Sequence, residues 1–418
     1  MKIKIFTDKK TLARCSIYRM LKSRSKEKHL SFHTPGHKQG KWDITELSFS
    51  DNLASPKGCI AQAERDIAEI LGAKKSFILT DGSTSGVLSA LYAAKLLGVK
   101  KIAVPLASHK SVFNGCAVLG LSPVVFTENE AVASALQNAD ALFITSPNYY
   151  GNIPDLQAIR ALCDKENKLL LADGAHGGHL HFNKKVYAGA YADIWVDGVH
   201  KSLPALTQGA IVSARNEKTA ETLLSAVSVF RTTSPSYPVM ASVEYAVKFP
   251  RNEGLENAVR AFAQTNERIL VNEDYTKLCV QIGKRAFEAE KDLEADGFYA
   301  EFCDGEVIMF YLSPATSAKS FKALKKRING LLKKYPFEAV ERIPAPLVLQ
   351  KEGETERVEL EKSAGRICAE NCGLFPPCTP LILVGEQITE EKLALLKNAN
   401  NAFGVYENKI KVFKNTIS

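Results

Sequence analysis

The hydrophobic positions alternate between a helical repeat and short apolar runs from about residue 61 onward. Residues 61–71 have helical spacing, with Ile67, Ile70 and Leu71 on one face. The Ala- and Leu-rich stretch 87–97 and the stretch 111–119 predict two further helices. Short apolar runs predict strands at 77–79, 101–106, 124–126, 141–145, 169–172, 194–196 and 210–212.

These strands predict a doubly wound sheet. Several of the runs are apolar throughout, as expected of strands that are buried on both faces of a parallel sheet. A mainly parallel sheet with helices between its strands has the doubly wound α/β architecture, and it binds ligands beyond the carboxyl ends of its strands. The predicted fold class is therefore α/β, with this sheet in a large domain.

The pattern changes after Arg251, which predicts a second domain. A helical stretch at 255–270 leads into a region that mixes strands and helices, including a strand at 307–312 and a helix at 317–332. The chain has 418 residues, more than a single hydrophobic core usually supports. We expect an N-terminal arm at 1–30, a large domain at 31–270 and a smaller α+β C-terminal domain at 271–418.

The charge pattern does not call for a nucleic acid or a membrane. The formal net charge is +8, but Lys and Arg are spread along the whole chain. The dense patch 322–334 has the pattern of an amphipathic helix, without aromatic residues for base stacking. No apolar run approaches ~18 residues, the length of a membrane span. We expect a small-molecule substrate, and neither nucleic acid nor membrane as a partner.

The cysteines and the first residues predict a reduced, cytoplasmic protein. The nine cysteines are odd in number and scattered, and no export signal precedes them. Cys368, Cys372 and Cys378 cluster, but their spacing does not match a zinc knuckle. We therefore expect buried thiols and no bound metal.

Two segments that follow predicted strands contain groups suited to binding an anion and a ring. In Asp81-Gly-Ser-Thr-Ser-Gly86, small residues let the backbone approach an anion, three hydroxyls can donate, and a helix N-terminus supplies N–H groups. An ordinary helix cap in a Ser/Gly turn is at least as common. In Ser108-His-Lys-Ser111, His109 can either lie flat over a bound ring or bond to backbone at a loop end.

Two further strand ends carry a carboxylate and a lysine. Asp173 follows an apolar strand, and a buried carboxylate there is costly unless it pairs with a cation such as a protonated pyridine nitrogen. Ala175 is small enough to lie beneath a ring. Lys201, preceded by His200, is either a surface charge or a former of a Schiff base, which requires a lowered pKa.

The order of these four segments is that of the cofactor site in the type I pyridoxal-phosphate (PLP) fold. The chain resembles the Orn/Lys/Arg decarboxylase family, particularly its short bacterial members. The matching segments cover nearly the whole chain and are His33-Thr-Pro-Gly-His-Lys-Gln-Gly40, Asp81 to Gly86, Ser108 to Ser111, Ser146-Pro-Asn-Tyr-Tyr-Gly151, Asp173-Gly-Ala-His176, His200-Lys-Ser-Leu-Pro-Ala-Leu-Thr-Gln-Gly209, Thr232-Thr-Ser-Pro-Ser-Tyr237 and Phe375-Pro-Pro-Cys-Thr-Pro380.

The resemblance implies a role for each matched residue. Lys201 would hold PLP as a Schiff base, and Asp173 would keep the pyridine nitrogen protonated. His109 would stack on one face of the ring and Ala175 would lie against the other. Thr232 would approach the phosphate from a neighbouring subunit, which implies a homodimer with shared sites. The implied cofactor-binding residues are Ser83, Thr84, Ser85, His109, Asp173, Ala175, His176, His200, Lys201 and Thr232, and the implied catalytic residues are Lys201, His200, Asp173 and His109.

The implied reaction is decarboxylation of arginine, lysine or ornithine to agmatine or a diamine, with arginine the first choice. Lys201 or His200 would return a proton to Cα as general acid. One alternative is an aminotransferase or lyase of the same fold, with Arg366 holding the substrate carboxylate. Others are a PLP-binding protein without catalysis and a metal hydrolase built on His176, His179 and His181.

The chain departs from the family pattern beside the lysine and beside the aspartate. The family often has Ser three residues before the lysine, where this chain has Gly198, preceded by Asp197. The lost hydroxyl and the added carboxylate are both expected to weaken phosphate binding. The Asp-Glu-Ala-His of short members is Asp-Gly-Ala-His here, with Gly174 at its second position, and their Tyr-Pro-Pro-Gly-Ile-Pro is Phe-Pro-Pro-Cys-Thr-Pro.

Overall fold

The chain folds into two compact units in the computed structural model. The structure describes residues 6–27, 30–38, 41–127, 132–339, 353–375, 378, 380–399 and 401–414. The first unit comprises Met1–Pro105, Ser111–Leu255 and Ser313–Ala315. The second comprises Leu106–Lys110, Glu256–Leu312 and Thr316–Ser418.

The first unit is built on a seven-stranded sheet. Its strands are β1 (Lys75–Leu79), β2 (Lys101–Pro105), β3 (Ser122–Phe126), β4 (Ala141–Thr145), β5 (Leu169–Gly174), β6 (Ile194–Asp197) and β7 (Ala210–Ala214), in the order β1-β7-β6-β5-β4-β2-β3. Strands β2 to β6 pair in parallel, and β7 is antiparallel to both of its neighbours. The predicted α/β fold with a mainly parallel sheet is confirmed.

Both faces of this sheet are buried. Along β5, Leu170 and Ala172 belong to one hydrophobic cluster and Leu171 to another. Because successive side chains of a strand point to opposite faces, the two clusters fill the two sides of the sheet. This arrangement explains why the strand segments are apolar throughout. The helices around the sheet are α1 (Lys9–Ala13), α2 (Ser16–Arg24), α3 (Cys59–Leu71), α4 (Ser83–Leu96), α5 (Lys110–Leu119), α6 (Val132–Gln137), α7 (Leu156–Lys165), α8 (Val199–Ser202), α9 (Glu217–Phe230) and α10 (Tyr237–Val247).

The second unit contains antiparallel sheets and further helices. Its strands are β8 (Ile269–Leu270), β9 (Lys277–Gln281), β10 (Phe302–Cys303), β11 (Val307–Tyr311), β12 (Thr355–Glu359), β13 (Gly373–Leu374), β14 (Ala402–Phe403), β15 (Val405–Tyr406) and β16 (Lys409–Phe413). The largest sheet has the order β10-β11-β9-β8, and smaller sheets have the orders β12-β16-β15 and β13-β14. Helix α11 (Glu253–Ala263) precedes β8, α12 (Ala286–Ala295) follows β9, α13 (Ala318–Lys334) follows β11 and α14 (Glu390–Asn398) follows β13.

The helix predicted at 255–270 is wrong in its second half. Helix α11 ends at Ala263, and strand β8 already begins at Ile269. Between them, Thr265 Oγ1 donates to the carbonyl of Phe262, and the N–H of Arg268 donates to Asn266 Oδ1. Such local bonds from side chains to backbone compete with the helical pattern and end it.

None of the described helices is long and apolar enough to cross a bilayer. The nine cysteines all lie in the described residues and form no disulfide, and all but the half-buried Cys59 are buried.

Candidate active site

Asp173 lies at the carboxyl end of β5 and is almost completely buried. Its side chain is 4% exposed, and the N–H of Ala175 donates to its Oδ1 at 3.0 Å. Burial raises the pKa of Asp173, and the Ala175 N–H and the positive charge of Lys201 only partly offset this effect. A buried carboxylate with a raised pKa gains from a further positive partner, and a protonated pyridine nitrogen is one.

Lys201 lies in α8, the short helix that follows β6. Its Nζ is 3.1 Å from Nε2 of His176, in the turn after β5. The ring of His176 packs on the ring of Tyr149, with centroids 4.1 Å apart. Lys201 Nζ is also 6.0 Å from the centroid of the Tyr149 ring. An amine, an imidazole and a phenol therefore form one cluster, built from the ends of the neighbouring strands β4, β5 and β6.

His200 is held by backbone beside Lys201. Its Nδ1 is 3.0 Å from the carbonyl oxygen of Gly209, so Nδ1–H is the donor. Burial lowers the pKa of His200, and the positive charge of Lys201 lowers it further, although the Gly209 carbonyl opposes this change. Burial and the charge of Lys201 therefore disfavour the doubly protonated ring of His200 in the protein alone. A phosphate placed nearby would raise its pKa and favour the doubly protonated ring.

The predicted phosphate cup forms the first turn of α4. Ser83, Thr84 and Ser85 open this helix, whose first N–H groups have no partner within the helix. Ser85 Oγ donates to the carbonyl of Gly82 at 2.9 Å, whereas Ser83 Oγ is buried without a hydrogen-bond partner among the described residues. A buried hydroxyl without a partner at a helix N-terminus fits a phosphate oxygen.

Gly198 brings the predicted segments together. A Cβ at this position would lie 2.4 Å from the carbonyl oxygen of Ala175 and 2.7 Å from Ser83 Oγ. Both distances are shorter than any van der Waals contact, so the backbone before Lys201 approaches both segments only because residue 198 has no side chain. The unpartnered Ser83 hydroxyl, the buried Asp173 and the amine of Lys201 together fit the phosphate, the ring nitrogen and the aldehyde of PLP.

Thr232 lies beside the same cup within its own chain. Its N–H donates to Asp81 Oδ2 at 3.1 Å, and Asp81 directly precedes the Gly-Ser-Thr-Ser segment. The predicted approach to a neighbouring subunit's phosphate stays a prediction.

His109 lies in Leu106–Lys110, a segment that belongs to the second unit. The next residue donates its N–H to the carbonyl of Cys378 at 3.0 Å. The stacking role of His109 stays a prediction. In the two motifs predicted around 33–40 and 375–380, Gln39, Gly40, Pro376, Pro377 and Thr379 lie outside the described residues.

The structure gives little support to the two alternatives that rest on named residues. Arg366 Nη2 donates to Glu356 Oε1 at 2.6 Å and to the carbonyl of Phe413 at 2.9 Å, so this nitrogen of the guanidinium is already engaged. His181 Nδ1 is 2.7 Å from the carbonyl of Gly178, and burial lowers the pKa of His181 to about 4. Within the described ranges, no three His, Cys, Asp or Glu side chains are grouped to hold a metal ion.

The sequence-based set of site residues did not include Tyr149. The motif Ser146-Pro-Asn-Tyr-Tyr-Gly151 pointed to it, because this motif follows β4, the neighbour of β5. Carboxyl ends of adjacent parallel strands meet at one edge, and an aromatic residue there is a candidate for the site.

Comparison with known families decides the identity. The model of the Orn/Lys/Arg decarboxylase major domain matches residues 15–133 and 127–272, and that of its C-terminal domain matches 338–410. The chain belongs to the Orn/Lys/Arg decarboxylase family. The family makes it a carboxy-lyase that depends on PLP and acts on basic amino acids.

Relatives of known name agree with this assignment. An arginine decarboxylase of Halalkalibacterium halodurans is 28% identical, over 90% of this chain and 92% of the relative. The constitutive lysine decarboxylase of Escherichia coli has the same fold, with a TM-score of 0.74 at 18% identity over 96% of this chain and 82% of that structure. A structure of SPT with a PLP internal aldimine has a TM-score of 0.55 at 13% identity, over 78% of this chain and 85% of that one.

Proposed function

We propose that this family member decarboxylates arginine to agmatine, with Lys201 as the residue that binds PLP. The contact between Lys201 and His176 beside the buried Asp173 carries the assignment of the site. The choice of arginine rests on similarity to arginine decarboxylases over nearly their full length. The lysine decarboxylase sequence of Escherichia coli matches only 54% of this chain.

Each group of the cofactor has a candidate partner in the first unit. Lys201 would bind the aldehyde carbon, Asp173 would pair with the ring nitrogen and Ala175 would lie under the ring. Ser83 and the first N–H groups of α4 would hold the phosphate. When bound, PLP supplies an electron sink for the electron pair left by departing carbon dioxide.

The protein must then deliver a proton to Cα of the substrate. Lys201 Nζ and His176 Nε2 share a hydrogen bond, so one proton can be held between them. His200 is less suited to this step, because its Nδ1 donates to the Gly209 carbonyl and burial lowers its pKa, which disfavours the protonated Nε2 that a proton donor needs. We therefore assign proton delivery to Lys201, with His176 as its hydrogen-bond partner. The ring of Tyr149 lies against the ring of His176 at a tilt of 53° and restricts how that ring can turn.

The choice of substrate is tested by steady-state kinetics of the purified protein with PLP. Arginine, lysine and ornithine are compared by carbon dioxide release, and the amine product is identified by chromatography. We expect agmatine, with kcat/KM for arginine about tenfold or more above the others, because a site built for a guanidinium leaves its polar groups unpaired with an ammonium. An equal or larger kcat/KM for lysine or ornithine contradicts this choice.

We also propose that the enzyme is a cytoplasmic homodimer with Thr232 at the shared site, and that its product enters polyamine synthesis. Mixing subunits carrying Lys201→Ala with subunits carrying Thr232→Ala tests the sharing. Shared sites predict that some mixed dimers regain a site with both residues intact, so that the mixture is more active than either parent. A mixture no more active than its parents contradicts it.

A further inference from the structure

Gly174 and Asp197 are direct neighbours on strands β5 and β6. They are partners in the register of this parallel pair, so side chains at the two positions point to the same face of the sheet. A Cβ at Gly174 would lie 2.8 Å from the carbonyl oxygen of Val196 and 3.2 Å from Asp197 Oδ1. The carbonyl of Val196 and the carboxylate of Asp197 therefore both occupy space that a side chain at position 174 would need.

Two buried donors hold the carboxylate of Asp197. The hydroxyl of Tyr187 donates to Asp197 Oδ2 at 2.6 Å, and Nε1 of Trp195 donates to the same oxygen at 3.1 Å. Trp195 Nε1 also lies 2.8 Å from the Tyr187 hydroxyl. Asp197 is 2% exposed, and Tyr187 and Trp195 are each 1% exposed. These three residues form one closed group, the Asp197 triad, which fixes the end of β6.

The Asp197 triad lies on the opposite face of the sheet from the Asp173 carboxylate. Asp173 precedes Gly174, and successive residues of a strand point to opposite faces. Trp195 and Tyr187 accordingly belong to the first hydrophobic cluster, whereas Val196, the partner of Asp173, belongs to the second. The carboxylate of Asp197 is therefore behind the cofactor site and not within it.

The residues on either side of this pair are those assigned to the cofactor. Asp173 and Ala175 flank Gly174, and Gly198 connects Asp197 to the helix that carries Lys201. Gly198 is also without room for a Cβ, because Ala175 O and Ser83 Oγ lie too close. A shift of Asp197 would thus be transmitted to both strand ends.

We propose that Asp197 is a positioning residue of the cofactor site. Its carboxylate, held by Tyr187 and Trp195, fixes the strand ends that carry Asp173, Ala175 and Lys201. Gly174, which has no side chain, leaves room for this carboxylate. The proposal rests on the PLP site assigned above. On this proposal, the departures from the family pattern at positions 174, 197 and 198 belong to one arrangement. A single buried carboxylate lies at position 197, whereas short family members have a carboxylate at the position of Gly174.

The groups that shift the pKa of Asp197 are consistent with a single carboxylate at this point of the sheet. Burial raises the pKa of Asp197 to about 7, and the nearby negative charge of Asp173 also raises it. The hydrogen bonds from Tyr187 and Trp195 and the positive charge of Lys184 lower it. A second carboxylate at 174 would add a further negative charge within contact distance of Asp197.

The test is a double-mutant cycle read by the dissociation constant of PLP. The proteins are the wild type, Gly174→Glu, Asp197→Ala and the double variant, with folding checked by circular dichroism. We expect Gly174→Glu to weaken PLP binding about tenfold or more in the wild-type background, but by less than about threefold in the Asp197→Ala background, a coupling in the range for residues in contact. Wild-type affinity in Gly174→Glu, or an equal loss of affinity in both backgrounds, overturns the proposal.

A second pair of variants decides the matter if Gly174→Glu does not fold. Tyr187→Phe keeps the ring but removes one donor to Asp197, and Tyr237→Phe is the control, because its buried hydroxyl contacts Ser50 and the carbonyl of Asp51 instead. We expect only Tyr187→Phe to weaken PLP binding and to move the pH midpoint of the cofactor's visible band. Equal behaviour of the two variants overturns the proposal. A wild type without any visible band refutes the cofactor assignment itself, whereas variants that bind like wild type refute only the role of Asp197.

Discussion

Nζ of Lys201 and Nε2 of His176 lie 3.1 Å apart, although the residues belong to segments that follow different strands. His200 is adjacent to Lys201 in sequence, yet its ring is directed to the carbonyl of Gly209. Adjacent residues on a helix do not face each other, so the neighbour in sequence is not the neighbour in the site. This relationship makes His176 the proton partner to be tested first.

Replacement of His176 by Gln should reduce kcat about a hundredfold. This is the lower end of the rate enhancement that a general acid–base group contributes. PLP should remain bound, because Lys201, Asp173 and the phosphate cup are unchanged. The measurement is kcat together with the visible absorbance of the variant. His181→Gln is the control, since His181 bonds to the carbonyl of Gly178. Equal losses of kcat in the two variants would contradict a specific role for His176.

Ser83→Ala should weaken PLP binding more than Ser85→Ala does. Ser83 Oγ has no partner in the described part of the chain, whereas Ser85 Oγ already donates to the carbonyl of Gly82. Loss of one hydrogen bond to a charged phosphate corresponds to about a tenfold rise in the dissociation constant. Equilibrium titration with PLP measures both variants. A larger effect at Ser85 would place the phosphate differently from our assignment.

Glu64 should make the free energy of unfolding depend on pH. Burial raises the pKa of Glu64 to about 7, although Arg231 and the N–H of Ile78 partly lower it. Because the folded protein holds this proton more tightly than the unfolded chain does, the stabilisation is complete below pH 4.5, the ordinary value, and is lost as pH rises through about 7. Glu64→Gln removes this dependence.

Urea unfolding at pH 5 and at pH 8 measures the effect. Relative to Glu64→Gln, the wild type should lose up to about 3 kcal/mol of its free energy of unfolding between these pH values. Glu69→Gln, an exposed position on the same helix, should keep the wild-type profile. Parallel pH profiles for Glu64→Gln and wild type would contradict the prediction, because Glu64 would then have the same pKa in the folded and the unfolded protein.

The sequence predicted the sheet and its strand ends because both depend on local pattern. Apolar runs identify buried strands, and Asp173 and Lys201 stand directly where such runs end. The direction of β7 was not predictable, since the apolar segment 210–212 contains no information on orientation. Its connection from β6 contains only the short helix α8, which leaves no crossover helix to bring β7 back in parallel.

The finer arrangement of the site depends on contacts that the sequence does not encode locally. Gly174 and Asp197 looked like separate departures from the family pattern, but the register of β5 and β6 makes them partners. Asp197 was expected to place a charge near the phosphate. The structure instead buries this carboxylate against Tyr187 and Trp195, two residues that no motif singled out.

The central claim is that Lys201 binds PLP, and one spectroscopic comparison tests it most directly. The visible spectra of the wild type, Lys201→Ala and the exposed control Lys185→Ala are recorded with PLP, before and after borohydride reduction and removal of unbound cofactor. We predict a visible band in the wild type and in Lys185→Ala, and cofactor that becomes permanently attached to both proteins on reduction. Lys201→Ala should show neither. A visible band in Lys201→Ala that borohydride fixes to the protein would contradict the account, because another lysine would then hold the cofactor.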